Sequence, residues 1–243
     1  MKIRHLIVFF VGLTLSTAGL AGATEATEYV PMKVIQTEPI TYPRRATDVG
    51  VTRGEVRIAV QVDDDGTLAD YLVTAYTHPL LAETAVNALK RWKYEPAYVD
   101  GNPRGATVEL VFQFENRGLV VVNMTVSSYV EIRDIELRPG AYSYGAKKLG
   151  QLDRIPTPSK VVQPVFRPEA VRNGETAVVT VFFYIDEQGR VRLPAVNRAT
   201  SESNDELAAA AVNAVAQWEF EPPLSKGQPV LVAARQDFRF RPR

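Results

Sequence analysis

Apolar and polar residues alternate from Glu55 to Val62, with Val56, Ile58, Val60 and Val62 set between Glu55, Arg57, Ala59 and Gln61. A period of two is what a strand with one buried face requires. Val179, Val181, Phe183 and Ile185 repeat the pattern in the second half of the chain. Each run ends in turn chemistry, Asp63-Asp64-Asp65-Gly66 and Asp186-Glu187-Gln188-Gly189, where glycine supplies the conformation that a tight turn needs. A second strand is predicted after each turn, Leu68 to Tyr76 and Val191 to Arg198. Pro194 has no N–H for a ladder, so the latter strand should lie on a sheet edge.

The period then changes. Leu81, Ala85, Ala88 and Trp92 share one helical face, as do Leu207, Ala211, Ala214 and Trp218. Pro79 suits the first turn of the former helix, and Ser203 with Glu206 forms a capping-box pattern for the latter. Trp92-Lys93-Tyr94-Glu95-Pro96 and Trp218-Glu219-Phe220-Glu221-Pro222 close the two helices. The turns Gly101-Asn102-Pro103 and Gly227-Gln228-Pro229 lead into a last strand, which carries Val108, Leu110, Phe112 and Phe114 in the first copy and ends with Phe238 and Phe240 in the second. Ahead of each copy, Pro39-Ile40-Thr41-Tyr42-Pro43 and Pro164-Val165-Phe166-Arg167-Pro168 precede a helical turn or two around Ala46 and Ala170.

The chain therefore contains one unit written twice. We place unit one at 38–116, a β-rich connector and linker at 117–162, and unit two at 163–243. Leu119 to Val122 and Val126 to Ile135 of the connector are strand-like and suited to extend the first sheet. Arg154-Ile155-Pro156-Thr157-Pro158 reads as an extended linker. Each unit reads strand, strand, helix, strand after a short helix, which gives an α+β class. Pairing strand three beside strand one leaves one open edge on each outer strand.

Lys2 and Arg4 precede an uncharged apolar stretch, Leu6 to Leu20, followed by Ala21-Gly22-Ala23. This is the form of a signal peptide over 1–23, too short for the roughly 20 apolar residues that span a bilayer. The mature chain is expected in the periplasm; the alternative is an uncleaved inner-membrane anchor with the rest facing the periplasm. Of 28 basic residues the leader takes two, leaving 26 against 28 acidic ones, a net charge of −2 that gives no reason to expect nucleic acid. With no cysteine, disulfides and thiolate chemistry are excluded and each unit must be held by its core.

Candidate chemistry is sparse. Trp92, Tyr94, Trp218 and Phe220 are read as structural core, since large aromatics dominate cores. Asp63 to Asp65 suggest calcium, but a calcium loop needs oxygens at fixed spacing and a glutamate beyond, and unit two keeps the turn while losing the third acid to Gln188. His78 is the one histidine after the leader, so no histidine cluster can form, and neither a nucleophile elbow nor a glycine-rich phosphate loop is present. No metal, cofactor or catalytic residue is expected; an envelope hydrolase is the least favoured alternative.

The run Tyr42-Pro43, Gly54-x-Val56, Val60-x-Val62, Asp65-Gly66, Ala85-Val86-x-Ala88, Trp92-x-Tyr94-Glu95-Pro96, Gly101 and Val111-Phe112-x-Phe114 resembles the C-terminal domain of TonB, the periplasmic energy transducer. The likeness covers nearly all of unit one and, more loosely, unit two, which has Arg167-Pro168 in place of Tyr-Pro. It implies two tandem domains, each a three-stranded antiparallel sheet packed against helices. It also implies a protein partner, an outer-membrane transport receptor or another envelope protein, whose extended segment adds to the last strand of the sheet. On that resemblance the partner-binding residues are Val108, Glu109, Leu110, Val111, Phe112, Gln113 and Phe114, with Glu38, Pro39, Tyr42 and Pro43 before them and Gln163 echoing Glu38 in unit two. The last strand of unit one is favoured for its unbroken large apolar residues. The family's transducers also have a Ser and a His on one face of an uncleaved anchor and a Pro-rich spacer. Here His5 and Ser16 do not share that spacing and no such spacer is seen, so a binding protein is favoured over an anchored energy transducer, the alternative.

Overall fold

The computed structural model describes residues 28–116, 119–125, 142–171, 176–196 and 205–241. The leader, the strand predicted over 126–135 and Ser203 lie outside them. Just ahead of unit one, β1 (Lys33–Gln36) leads to its elements α1 (Arg44–Asp48), β2 (Arg53–Val62), β3 (Leu68–Tyr76), α2 (Pro79–Leu89), β4 (Lys93–Glu95) and β5 (Ala106–Glu115). The connector supplies β6 (Leu119–Thr125), β7 (Tyr144–Gly145) and β8 (Pro158–Lys160). Unit two follows with β9 (Ala177–Ile185), β10 (Val191–Val196), α3 (Asp205–Val215), β11 (Glu219–Phe220) and β12 (Val232–Phe240).

Strand alternation sorts β2 and β5 as their sequence demands. Val56, Ile58, Val60 and Val62 join Val108, Leu110, Phe112 and Phe114 in a buried layer against Leu81, Ala85, Ala88 and Leu89 of α2. Each such side chain contributes roughly 1.5–3 kcal/mol by leaving water. α2 begins where His78 caps it, the ring Nδ1 accepting from the Leu80 N–H at 3.3 Å, with Pro79 at the first helical position. Trp92 and Tyr94 fall in the same core, and the Tyr94 hydroxyl donates to the Leu89 carbonyl at 2.8 Å.

The two acidic turns share a second constraint. Gly66 and Gly189 have φ of +85° and +83°, and a Cβ on either would meet the carbonyl oxygen of Tyr94 at 2.7 Å or of Phe220 at 2.0 Å. Each hairpin tip thus rests on the strand that follows its unit's helix, an approach only glycine permits. Asp65 serves the turn itself, its Oδ1 accepting from the Thr67 N–H at 2.8 Å.

Unit two has the three-stranded order β10-β9-β12, as expected for a first strand between second and third. Pro194 lies on the edge strand, where the register slips between Phe182 and Tyr184 and Leu193 adopts φ of +50°. Unit one departs from the three-stranded expectation: its sheet has five strands, β7-β3-β2-β5-β6. Its homologous strands keep the same order, and the connector adds a strand to each side. Leu119 to Val122 extends the first sheet as its pattern suggested. Residues 154–158 are docked rather than free, because the Thr157 carbonyl accepts from the Glu221 N–H at 2.9 Å and β8 pairs with β11.

The polar face of β2 and β5 is not a solvent face. Ala59, Glu109 and Val111 are buried there, and β10 of unit two packs against β2 and β3. Arg192 on β10 reaches Asp70 on β3 at 2.5 Å and the Tyr71 carbonyl at 3.1 Å. Arg104 and Asp205 form a second bridge at 3.2 Å.

Candidate docking edge

An exposed sheet edge is a row of unpaired N–H and C=O groups that another strand can complete. Unit one was expected to offer such an edge at Val108–Phe114, and this expectation is corrected. β6 pairs antiparallel with β5 from Glu109↔Thr125 to Glu115↔Leu119, so the chain's own connector occupies the edge. The side chains are equally committed: Val108, Leu110, Phe112 and Phe114 point into the core, Glu109 and Val111 are buried on the opposite face, and Gln113 alone is exposed. A hairpin joining neighbouring strands covers the edge at little cost in loop closure, which is why a short connector suffices. On the other side, β7 pairs Tyr144↔Tyr76 and Gly145↔Ala75 on β3.

The remaining candidate residues are scattered by the fold. The Tyr42 hydroxyl donates to the Val51 carbonyl at 2.7 Å and its ring meets Phe114 edge-on at 6.3 Å, so it ties α1 to β5 from inside the core. Burial raises its pKa. Pro43 is the N-cap of α1, Pro39 is exposed, and Glu38 pairs at the surface with Arg91. Gln163 is exposed in unit two, beside Val162, whose carbonyl accepts from Trp218 Nε1 at 2.8 Å. Trp218 and Phe220 lie partly buried at the margin of the second core rather than within it. Arg167, in the place of Tyr42, grips Glu206 near the start of α3, with Nη2 at 2.6 Å. Those hydrogen bonds hold the Glu206 carboxyl down at about 2.

Glu109 has a structural environment of its own. Thr74 Oγ1 donates to its Oε1 at 3.1 Å and Arg57 Nη1 to its Oε2 at 3.3 Å. Arg57 also donates to Glu55 at 2.8 Å, and the Tyr142 hydroxyl donates to the same Glu55 carboxylate. Burial raises the Glu109 pKa against the opposing pull of Arg57 and Thr74.

The open edge lies in unit two. β12 pairs with β9 on one side from Ala177↔Phe240 to Ile185↔Val232. On its other side, among the described residues, another strand's backbone engages only the start, the Lys147 N–H donating to the Leu231 carbonyl at 2.8 Å and the Ala233 N–H to the Lys147 carbonyl at 3.1 Å. Further along, only the Asp237 carbonyl is occupied, by its neighbour's side chain, Gln236 Nε2 donating at 2.9 Å. The two bonds to Lys147 identify the outward-facing groups, because backbone direction alternates along a strand. The N–H and C=O of Arg235, Asp237 and Arg239 must then face outward, and those of Val232, Ala234, Gln236, Phe238 and Phe240 inward to β9. The outward residues are exposed, while the intervening ones lie on the core face. Asp237 is held by its cross-strand neighbour, Thr180 Oγ1 donating to Oδ1 at 2.8 Å. The sequence signal was the alternation Arg235-Gln236-Asp237-Phe238-Arg239-Phe240, whose charged positions mark one wet face; nothing local says that this edge stays open while the matching one is filled.

No curated protein matches the chain. The family described as Gram-negative bacterial TonB protein C-terminal matches it twice, over residues 38–115 and 162–242. Two matched stretches, each folded as strand, strand, helix and strand around its own core, make the chain a member of the TonB C-terminal family in two tandem copies.

Proposed function

We infer that this chain is a non-enzymatic binding protein of the cell envelope, delivered to the periplasm by a cleaved leader, which takes an extended segment of a partner protein as an added strand on the outer edge of β12. Outer-membrane transport receptors and other envelope proteins are the partner class that family membership suggests. The observation that carries the reading is the outward row at Arg235, Asp237 and Arg239, which lies just beyond the single parallel bridge that Lys147 makes with Val232. In this reading unit one is the rigid base and unit two the reader.

Proline tests it. At Arg235 it removes an N–H that faces away from β9, a position where an edge strand tolerates proline. Arg235→Pro should abolish capture of the partner from envelope extracts, while Arg235→Ala should retain it. A folded Arg235→Pro variant that captures the same partner undiminished would move the binding surface elsewhere.

A further inference from the structure

The edge of β12 has a charge pattern that selects among extended segments. Arg235 and Arg239 are exposed, and neither has a hydrogen-bond or ion-pair partner among the described residues. Asp237 between them is already engaged by Thr180. Along the outward row the charge is therefore two arginines to one aspartate, with Arg241 following immediately. On the core face, the same stretch presents Gln236 and Phe238, the latter packed at 5.8 Å from Trp218.

An added antiparallel strand places its directly opposite residues on the same face as their counterparts, with Cβ atoms roughly 4.5–5.5 Å apart. The partner residues opposite Arg235 and Arg239 are then four apart, and the two flanking the central position fall beside Gln236 and Phe238. We propose that the strand that adds to β12 is acidic at two positions four residues apart, with apolar residues on either side of the central one, so that its carboxylates stand opposite Arg235 and Arg239. This rests on the strand-addition reading and specifies the chemistry of the same site. Arginine suits the role because its planar fork bonds a carboxylate through two N–H groups. A second copy of this chain is the poorer occupant, since it brings the same excess of arginine to the contact.

The test uses the mature full chain and three synthetic peptides: Glu-Val-Thr-Val-Glu within a threonine-rich flank, and its counterparts with glutamine or lysine in place of both glutamates. The glutamate peptide should bind about 2- to 30-fold more tightly than the glutamine peptide, as two cross-strand charge pairs allow, and the lysine peptide more weakly still. Salt should narrow the differences. The double variant Arg235→Glu with Arg239→Glu should reverse the order, and Arg235→Gln with Arg239→Gln should erase it. Both pairs of substitutions are at exposed side chains without partners among the described residues, and circular dichroism should show the fold unchanged. Equal affinity for all three peptides, with new amide-exchange protection at Asp237, would overturn the acidic selection while leaving strand addition intact. Absence of binding by all three, with no change in protection at Arg235, Asp237 and Arg239, would remove both readings. A dimer of the free chain in sedimentation that buries this edge would name the second copy as occupant and overturn the proposal.

Discussion

Arg192 of unit two binds Asp70 of unit one through both Nε and Nη2, at 3.1 and 2.5 Å, and spends a further bond on the Tyr71 carbonyl. The fork joins residues 122 positions apart and fixes β10 against β3. Asp70 in turn raises the guanidinium pKa.

Both side chains are about one-third exposed, so solvent screening limits what the pair adds to stability. A double-mutant cycle of Asp70→Asn and Arg192→Gln should give a coupling of about 0.5–1 kcal/mol in urea unfolding. Its larger effect should be on cooperativity: the single variants should separate unfolding of the two units into distinct transitions. A coupling near zero with one unchanged transition would show that contacts other than this pair hold the units together.

The two tryptophans occupy matching sequence positions and different environments. Trp92 is 7% exposed within the first core and meets Phe112 in a tilted contact at 5.6 Å, and its Nε1 has no partner among the described residues. Trp218 is partly exposed and spends its Nε1 on Val162. Trp92→Ala should cost about 3–5 kcal/mol, and Trp218→Ala visibly less, measured by denaturant unfolding. Equal losses would contradict the difference in burial.

Glu109 sets a pH dependence with a defined sign. Its folded pKa is raised by burial, so the folded state holds this proton more tightly than the unfolded chain. The stability it contributes is full below the ordinary carboxyl value and is lost as pH rises through the raised one. Glu109→Gln keeps an oxygen for Thr74 and leaves Arg57 paired with Glu55. The variant should gain on the parent between acidic and neutral pH in urea titrations. A variant that loses ground over that interval would mean that the Arg57 pair outweighs desolvation.

Processing is open to direct measurement. We propose cleavage after Ala23, and intact mass of the periplasmic protein should correspond to a chain beginning at Thr24. Full-length protein in the inner membrane would favour the anchored transducer.

Much of the architecture could be read along the chain. The period of two in Val56–Val62 and Val179–Ile185, the helical spacing around Ala85 and Ala211, and the recurring Trp-x-aromatic-Glu-Pro stretch established two copies of one α+β unit. These signals are local: side-chain direction follows from backbone period, and Gly66 and Gly189 announce their turns by type. They also placed Pro194 on an edge, since a missing N–H excludes an inner position whatever surrounds it.

Edge occupancy is not a local property. The apolar alternation of Val108–Phe114 records that this strand is buried on its core face, and it reads the same whether a partner, a connector or water lies alongside. Only the tertiary structure assigns β6 to that edge, turns Glu109 and Val111 inward beneath unit two, and, among the described residues, completes β12 no further than Lys147. Residue types determine which faces leave water, because burial acts on side chains one by one. Which backbone groups remain unpaired depends on how far the rest of the chain can reach, and that is decided when the connector lays β6 along β5 from Glu109 to Glu115 but, among the described residues, brings only Lys147 alongside β12.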